Sequence, residues 1–190
     1  HRPPGHHAEK NKAMGFGVFN NVAISADYAL RSKKFEKILI IDFDVHHGNG
    51  TQHIFENNPN IFYASSHQYP YYPGTGDLTE KGCGNIFNCP LPANCDSKLF
   101  RKLFSENIVD KINQNFDLLY FSAGFDAHVL DPLASINLED EDFFWITKKI
   151  LDKFANNIPI ISVLEGGYDM KGLYNGLNNH LKVLQDYSYE

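Results

Sequence analysis

Three apolar runs in this chain stop abruptly in clusters of Asp, His and Gly, and this pattern limits the possible folds more than any other feature. Residues 38–43 lead into Asp42-Phe43-Asp44-Val45-His46-His47-Gly48-Asn49-Gly50, residues 118–122 into Ala123-Gly124-Phe125-Asp126-Ala127-His128, and residues 158–164 into Leu164-Glu165-Gly166-Gly167-Tyr168. A run with no polar side reads as a strand covered on both faces, which is the habit of parallel sheets. Residues 61–65 read as a further strand and residues 85–89 as a weaker one.

Segments of helical period lie between the strands. Residues 20–32 place Val22, Ala23, Ala26, Ala29 and Leu30 inward, and residues 139–154 do the same with Phe143, Ile146, Ile150 and Leu151. Asp96 or Ser97 is a fitting cap for a helix running to about residue 114, with Phe100, Leu103, Phe104, Ile108 and Ile112 on its inner side. A last helix is expected over residues 171–184. The alternation predicts one α/β domain over residues 1–190, a three-layer fold whose mostly parallel sheet has helices on both faces.

In such sheets ligands bind beyond the carboxyl ends of the strands, so three polar clusters at three strand ends point to one shared site. Asp44 and His46, two apart on extended chain, project to the same side. With Asp126 from another strand end they make two carboxylates and an imidazole, which hold a divalent cation and leave room for water and substrate. The plainer reading makes Asp42 and Asp44 helix caps and His46 a polar loop residue. An isolated Asp-x-His would favour it; the long run and its matching strand ends favour a metal, and a catalytic rather than a structural one.

Composition narrows the partners. The chain has 17 basic and 23 acidic residues, a net charge of −6, and no basic stripe, which argues against direct nucleic-acid binding. No apolar run reaches membrane-span length and the start lacks a secretory signal, so no membrane role and a cytoplasmic location are expected. Cys83, Cys89 and Cys95 lack CxxC pairing and are expected to be reduced, ordinary residues. The opening His1-Arg2-Pro3-Pro4-Gly5-His6-His7 reads as an active-site loop, as though the chain began in mid-domain.

The segments PPGHHA (3–8), DFDVHHGNGTQ (42–52), YPYYPGTGD (69–77), SAGFDAHVLDPL (122–133) and LEGGYD (164–169) resemble the successive signatures of the histone deacetylase superfamily, in the family's order. Asn49 and the RPPGHHA opening look closer to the class II and bacterial acetoin-utilisation-like branch. The resemblance implies an arginase/deacetylase-like fold and a zinc ion on Asp44, His46 and Asp126. It also implies a general base and acid at His7, an electrostatic role for His6 oriented by Asp42, Asn49 as partner of the second histidine, and Tyr168 as donor to the oxyanion. Phe16 and Tyr72 match the aromatics of the acyl-lysine tunnel, although either could be core; Leu133 matches its rim, and Gly166 the turn that presents Tyr168. A potassium site would use the side chains of Asp42, Asp44 and Ser65 with the carbonyls of His46 and Ser66.

The activity so implied is removal of acetyl groups from acetylated lysine of histones or other proteins. Deacetylation of acetylpolyamines or other small amides, and an inactive remnant that binds metal or a partner, are the competing readings. A binuclear manganese site is disfavoured because His128 stands where a bridging carboxylate is expected. His67 and His128 lie close enough to the motifs to support them, whereas His53 and His180 read as surface or packing residues. Family members carry a segment ahead of the paired histidines, so this chain is expected to lack an N-terminal part, to expose one flank of the sheet and to self-associate.

Overall fold

Ile38 and Ile40 face one side of the central strand and Leu39 and Ile41 the other, and all four are fully buried. Burial on both faces requires a layer of helices on each side, and this is what a computed structural model shows for residues 4–187, the part of the chain described below. His1, Arg2 and Pro3, with which the loop reading begins, lie outside the described residues.

The chain order is α1 (Asn21–Arg31), β1 (Ile38–Asp42), α2 (Asn49–Phe55), β2 (Ile61–Gln68), β3 (Ile86–Leu91), α3 (Ser97–Phe104), a π-helical turn (Ser105–Val109), β4 (Leu118–Ala123), α4 (Asp140–Phe154), β5 (Ile160–Leu164) and α5 (Met170–Asp186). The five strands form one sheet in the order β3-β2-β1-β4-β5, with every neighbouring pair parallel. The α/β class, the parallel sheet and the helix-covered faces thus agree with the sequence reading. The chain winds from β1 to β2 and β3 in one direction and to β4 and β5 in the other, so the switch point lies between β1 and β4. There the loops after the two strands diverge and leave a crevice.

Two expectations need correction. The helix foreseen to residue 114 is α-helical only to Phe104 and then widens into a π turn. The inner residues Phe100, Phe104, Ile108 and Ile112 are spaced strictly by four, and this outruns a 3.6-residue turn. The wider turn absorbs the excess and keeps all four buried. Ser105 and Asn107, whose side chains bond the carbonyls of Arg101 and Leu103, compete with the regular ladder there. The second correction concerns β5, read as a buried strand. Among the described residues it is the sheet edge, paired with β4 alone, and Ile161 is 39% exposed. At the other edge β3 runs on to Leu91 and tolerates Pro90, since an edge strand can lack an inter-strand donor.

No helix among the described residues is long and apolar enough to cross a membrane. All three cysteines are free, and burial pushes the Cys89 thiol up to about 12.

His180 is fully buried under α4 and β5, where its ring nitrogens meet Thr147 Oγ1 at 2.7 Å and Ser162 Oγ at 2.9 Å. Burial lowers its pKa to about 4 from the ordinary 6.5. The unfolded chain therefore takes up this proton at higher pH than the folded one, and stability contributed above pH 6.5 is lost as pH falls toward 4. The full loss is about 3 kcal/mol by linkage. Urea unfolding at pH 7 and pH 4.5 should show a shallower pH dependence for His180→Gln than for the wild type; equal slopes would remove His180 from the account.

Candidate metal centre and active site

The loop after β1 is shaped by its own carboxylates. Asp42 Oδ1 accepts the Asp44 N–H at 3.1 Å and Asp44 Oδ1 accepts the His46 N–H at 2.9 Å, which curls the chain so that Asp44 and His46 face the switch point. Asp126, from the end of β4, ties the same loop down by accepting the Val45 N–H at 2.9 Å. His46 Nδ1 lies 3.2 Å from Asp44 Oδ1 and 3.1 Å from Asp126 Oδ2. Ligand atoms of Asp44, His46 and Asp126 all fall within 4.8 Å of one another.

The third strand end closes this cluster. Gly166, after β5, donates its N–H to Asp44 Oδ2 at 2.8 Å. A Cβ on Gly166 would lie 2.3 Å from Asp126 Oδ2 and 2.6 Å from Asp44 Oδ2, so only glycine lets the backbone come this close. Gly15 has the same role on the other wall, where a Cβ would meet His7 Cδ2 at 2.2 Å.

The electrostatics ask for a cation. Asp42, Asp44, Asp126 and Glu165 are all buried to within 1% of completely, and among the described residues the basic partners in ion pairs with Asp42, Asp44 and Asp126 are His6 and His46. Burial and the neighbouring Asp44 push the Asp126 carboxyl up to about 7. Burial opposes charge on His46, yet its hydrogen bonds to Asp126 and Asp44 drive it up to about 10. His46 Nδ1 and the two carboxylates thus converge where a divalent ion would fit. Two carboxylates and an imidazole are also a donor set such ions accept, so the residues fit a metal.

The paired histidines stand beside this centre. His6 Nδ1 is 2.9 Å from Asp42 Oδ2, which also accepts the Tyr63 hydroxyl at 2.9 Å. His7 Nδ1 is 2.8 Å from Asn49 Oδ1. Their environments push them apart. Burial works against charge on His6, but Asp42 and Asp44 more than offset it and hold its pKa well above the usual range. Burial and the His6 charge lower His7 to about 3. The surroundings thus favour the charged form of His6 and the neutral form of His7.

A cleft of about 380 Å³ opens over these groups. It is lined by Phe16, Tyr72, Leu133 and Tyr168, as the sequence implied, and also by Tyr71, which the sequence reading passed over. The His7 and Tyr72 rings lie 5.1 Å apart, and those of Phe16 and Tyr168 6.1 Å apart. Ser65 stands beside Asp42 in register and is buried with Ser66, but its Oγ bonds His67 Nδ1 at 2.9 Å and both Asp42 oxygens have partners.

Three supporting residues escaped the sequence reading. Glu165 Oε2 accepts the Gly5 and His6 N–H groups, at 2.6 and 3.2 Å, while its Oε1 accepts the Ser122 hydroxyl. Asp131 Oδ2 accepts the N–H groups of Tyr168 and Asp169, at 2.6 and 3.2 Å, and its Oδ1 that of Leu133 at 3.0 Å. Tyr63 steadies Asp42. The available signal is a carboxylate in or beside a strand-end motif, and a phenol in the apolar first half of β2. Of the other histidines, His67 and His128 are buried and support the surrounding loops, through Gly76 O and Asp140 respectively, and His53 is exposed.

Fold and site together define an α/β protein with a candidate metal centre at the switch point of a parallel sheet. The histone deacetylase domain family matches residues 1–184, and the chain belongs to that family. It is 43% identical over 191 residues to Histone deacetylase 14, chloroplastic, of Arabidopsis thaliana, covering 96% of this chain and 45% of that protein. It is 44% identical to an uncharacterized protein of Synechocystis sp., over 96% of this chain and 60% of that protein. A probable deacetylase of Methanothermobacter thermautotrophicus is 39% identical over 100% of this chain and 58% of its own length. The solved HDA15 HD domain superposes with a TM-score of 0.88 at 35% identity, over 96% of this chain and 54% of that one. The chain thus spans about half the length of these relatives.

Proposed function

We propose that this chain is the catalytic part of a zinc-dependent deacetylase acting on acetylated lysine side chains of proteins. The observation that carries the proposal is the meeting of Asp44, His46 and Asp126 with the paired histidines His6 and His7 under one tyrosine-rimmed cleft. Zinc held by Asp44, His46 and Asp126 would supply Lewis-acid chemistry, polarising an amide carbonyl and making water acidic enough to attack near neutrality.

The chain's own residues account for the rest. His7, neutral and with Nδ1 directed at Asn49, has Nε2 available to take the proton of the attacking water and return it to the leaving amine. His6, held as a cation by Asp42, favours the negative charge that grows on the carbonyl oxygen. Tyr168 donates a hydrogen bond to that oxygen, from a backbone fixed by Asp131. Phe16 and Tyr72 flank the lysine methylenes, and Leu133 meets the residues around them. A potassium ion at Asp42, Asp44, Ser65 and the His46 and Ser66 carbonyls belongs to the same reading, and potassium-dependent stability is its check.

The test is hydrolysis of an acetyl-lysine peptide and an acetylpolyamine by protein stripped of metal and reloaded with zinc. Zinc-dependent turnover of the peptide is expected. Preference for the polyamine would move the substrate class, and no turnover of either would favour a metal-binding remnant. We further propose that these 190 residues by themselves self-associate through the exposed β5 flank. Light scattering should find more than a monomer.

A further inference from the structure

A line of hydrogen bonds leaves the cleft through His7 and ends at the surface. His7 Nδ1 meets Asn49 Oδ1 at 2.8 Å, Asn49 Nδ2 donates to Glu9 Oε1 at 2.6 Å, and the same oxygen is 2.7 Å from Nδ1 of exposed His53. Asn49 is buried at the start of α2, and Glu9 is half-buried on the loop after the paired histidines.

The two ends of an asparagine amide have nearly the same shape, so its partners decide which way it points. A carboxylate accepts hydrogen bonds and has none to give, so the end of Asn49 that faces Glu9 must be the NH₂ and the end that faces His7 the carbonyl. A carbonyl at His7 Nδ1 holds the ring proton there and leaves the Nε2 lone pair free. With the amide reversed, the NH₂ would face Nδ1, the ring proton would move to Nε2, and the atom needed as a base would be blocked without any ring moving. Two other acceptors lie on the Glu9 side of the amide, the His7 carbonyl at 3.3 Å and Met14 Sδ at 3.6 Å, and both contacts are longer than the one to Glu9.

We propose that Glu9 is a positioning residue that orients the Asn49 amide and so selects the His7 tautomer with a free Nε2. The catalytic consequence rests on the deacetylase reading above; the tautomer itself does not. Glu9 touches neither substrate nor metal ligands in this arrangement and acts through Asn49 alone.

The experiment compares wild type, Glu9→Gln, Glu9→Ala, Asn49→Asp and the Glu9→Ala/Asn49→Asp double variant, all zinc-loaded. It reads ring ¹⁵N shifts of His7, zinc content, urea unfolding, and kcat and KM on an acetyl-lysine peptide. Glu9→Ala should shift His7 toward the Nε2–H tautomer and lower kcat by roughly 10-fold, with KM and zinc content little changed. In the Glu9→Ala/Asn49→Asp double variant the partner of Nδ1 is an acceptor at both ends and no second carboxylate faces it, so the double variant should hold the Nδ1–H tautomer again and regain kcat relative to Glu9→Ala. A double variant that regains neither the tautomer nor kcat, or an unchanged His7 tautomer in Glu9→Ala, would overturn the proposal. If the wild type turns over no acetyl-lysine, the deacetylase reading falls and the ¹⁵N measurement alone decides the role of Glu9. If Glu9→Ala fails to fold, Glu9→Gln, which keeps the shape and loses the acceptor-only character, decides by the same shifts.

Discussion

Zinc binding should weaken by about 100-fold or more, with turnover lost, when Asp126 is replaced by alanine. Changes to the outer partners of metal ligands already cost roughly 10- to 100-fold in affinity, and Asp126 is a proposed ligand itself. Its Oδ2 faces His46 Nδ1 at 3.1 Å, while its Oδ1 holds the Val45 N–H. Alanine removes both contacts and leaves a buried donor unpaired, at a cost of about 1–3 kcal/mol. Asp126→Asn separates the two effects, because it keeps an acceptor for Val45 and removes the charge. Relief of repulsion from Asp44 should leave the metal-free Asn variant at least as stable as the metal-free wild type. Metal analysis after dialysis, with urea unfolding alongside, checks both. Zinc retained equally by wild type and Asp126→Ala would overturn the ligand assignment.

The second large effect concerns Tyr168. Tyr168→Phe removes one hydroxyl from the wall of the cleft and no charge from the metal centre. Zinc content and stability should hold, and kcat should fall by roughly 10²-fold or more, as for loss of an oxyanion donor. KM should move much less, because the lost interaction belongs to the transition state. A variant with full turnover would make Tyr168 a wall residue of the cleft and not an oxyanion donor.

These two residues were also the most legible in the sequence, and for a local reason. Asp44 and His46 share one strand-end run, and Asp126 and Tyr168 each sit in a motif directly after a strand, so composition and position coincide. The parallel sheet was readable because its central strands, β1 and β4, are almost wholly apolar. The π turn after α3 was not, since a spacing of four between Phe100, Phe104, Ile108 and Ile112 is also compatible with a straight helix over two turns. The exposure of β5 was hidden for another reason: Ile160 and Ile161 are as apolar as the residues of β1, and only the count of neighbouring strands distinguishes them. Asp131 acts through contacts to backbone N–H groups and Glu9 through a side-chain amide, and neither kind of contact sets a spacing along the chain.

Glu165 carries a consequence for the order of events during synthesis. Its carboxylate clips the Gly5 and His6 N–H groups across 160 and 159 positions of sequence, at the end of the last strand. The loop bearing both histidines is synthesised well before its anchor. Contacts this distant form late, because closing the long loop between them costs entropy before anything is gained. A nascent chain halted before β5 can assemble β1 and the residues after it, and its paired histidines can meet Asp42 and Asn49, but the Gly5 and His6 N–H groups still lack their carboxylate. The carboxylate clip on the histidine loop is thereby deferred until β5 has been made.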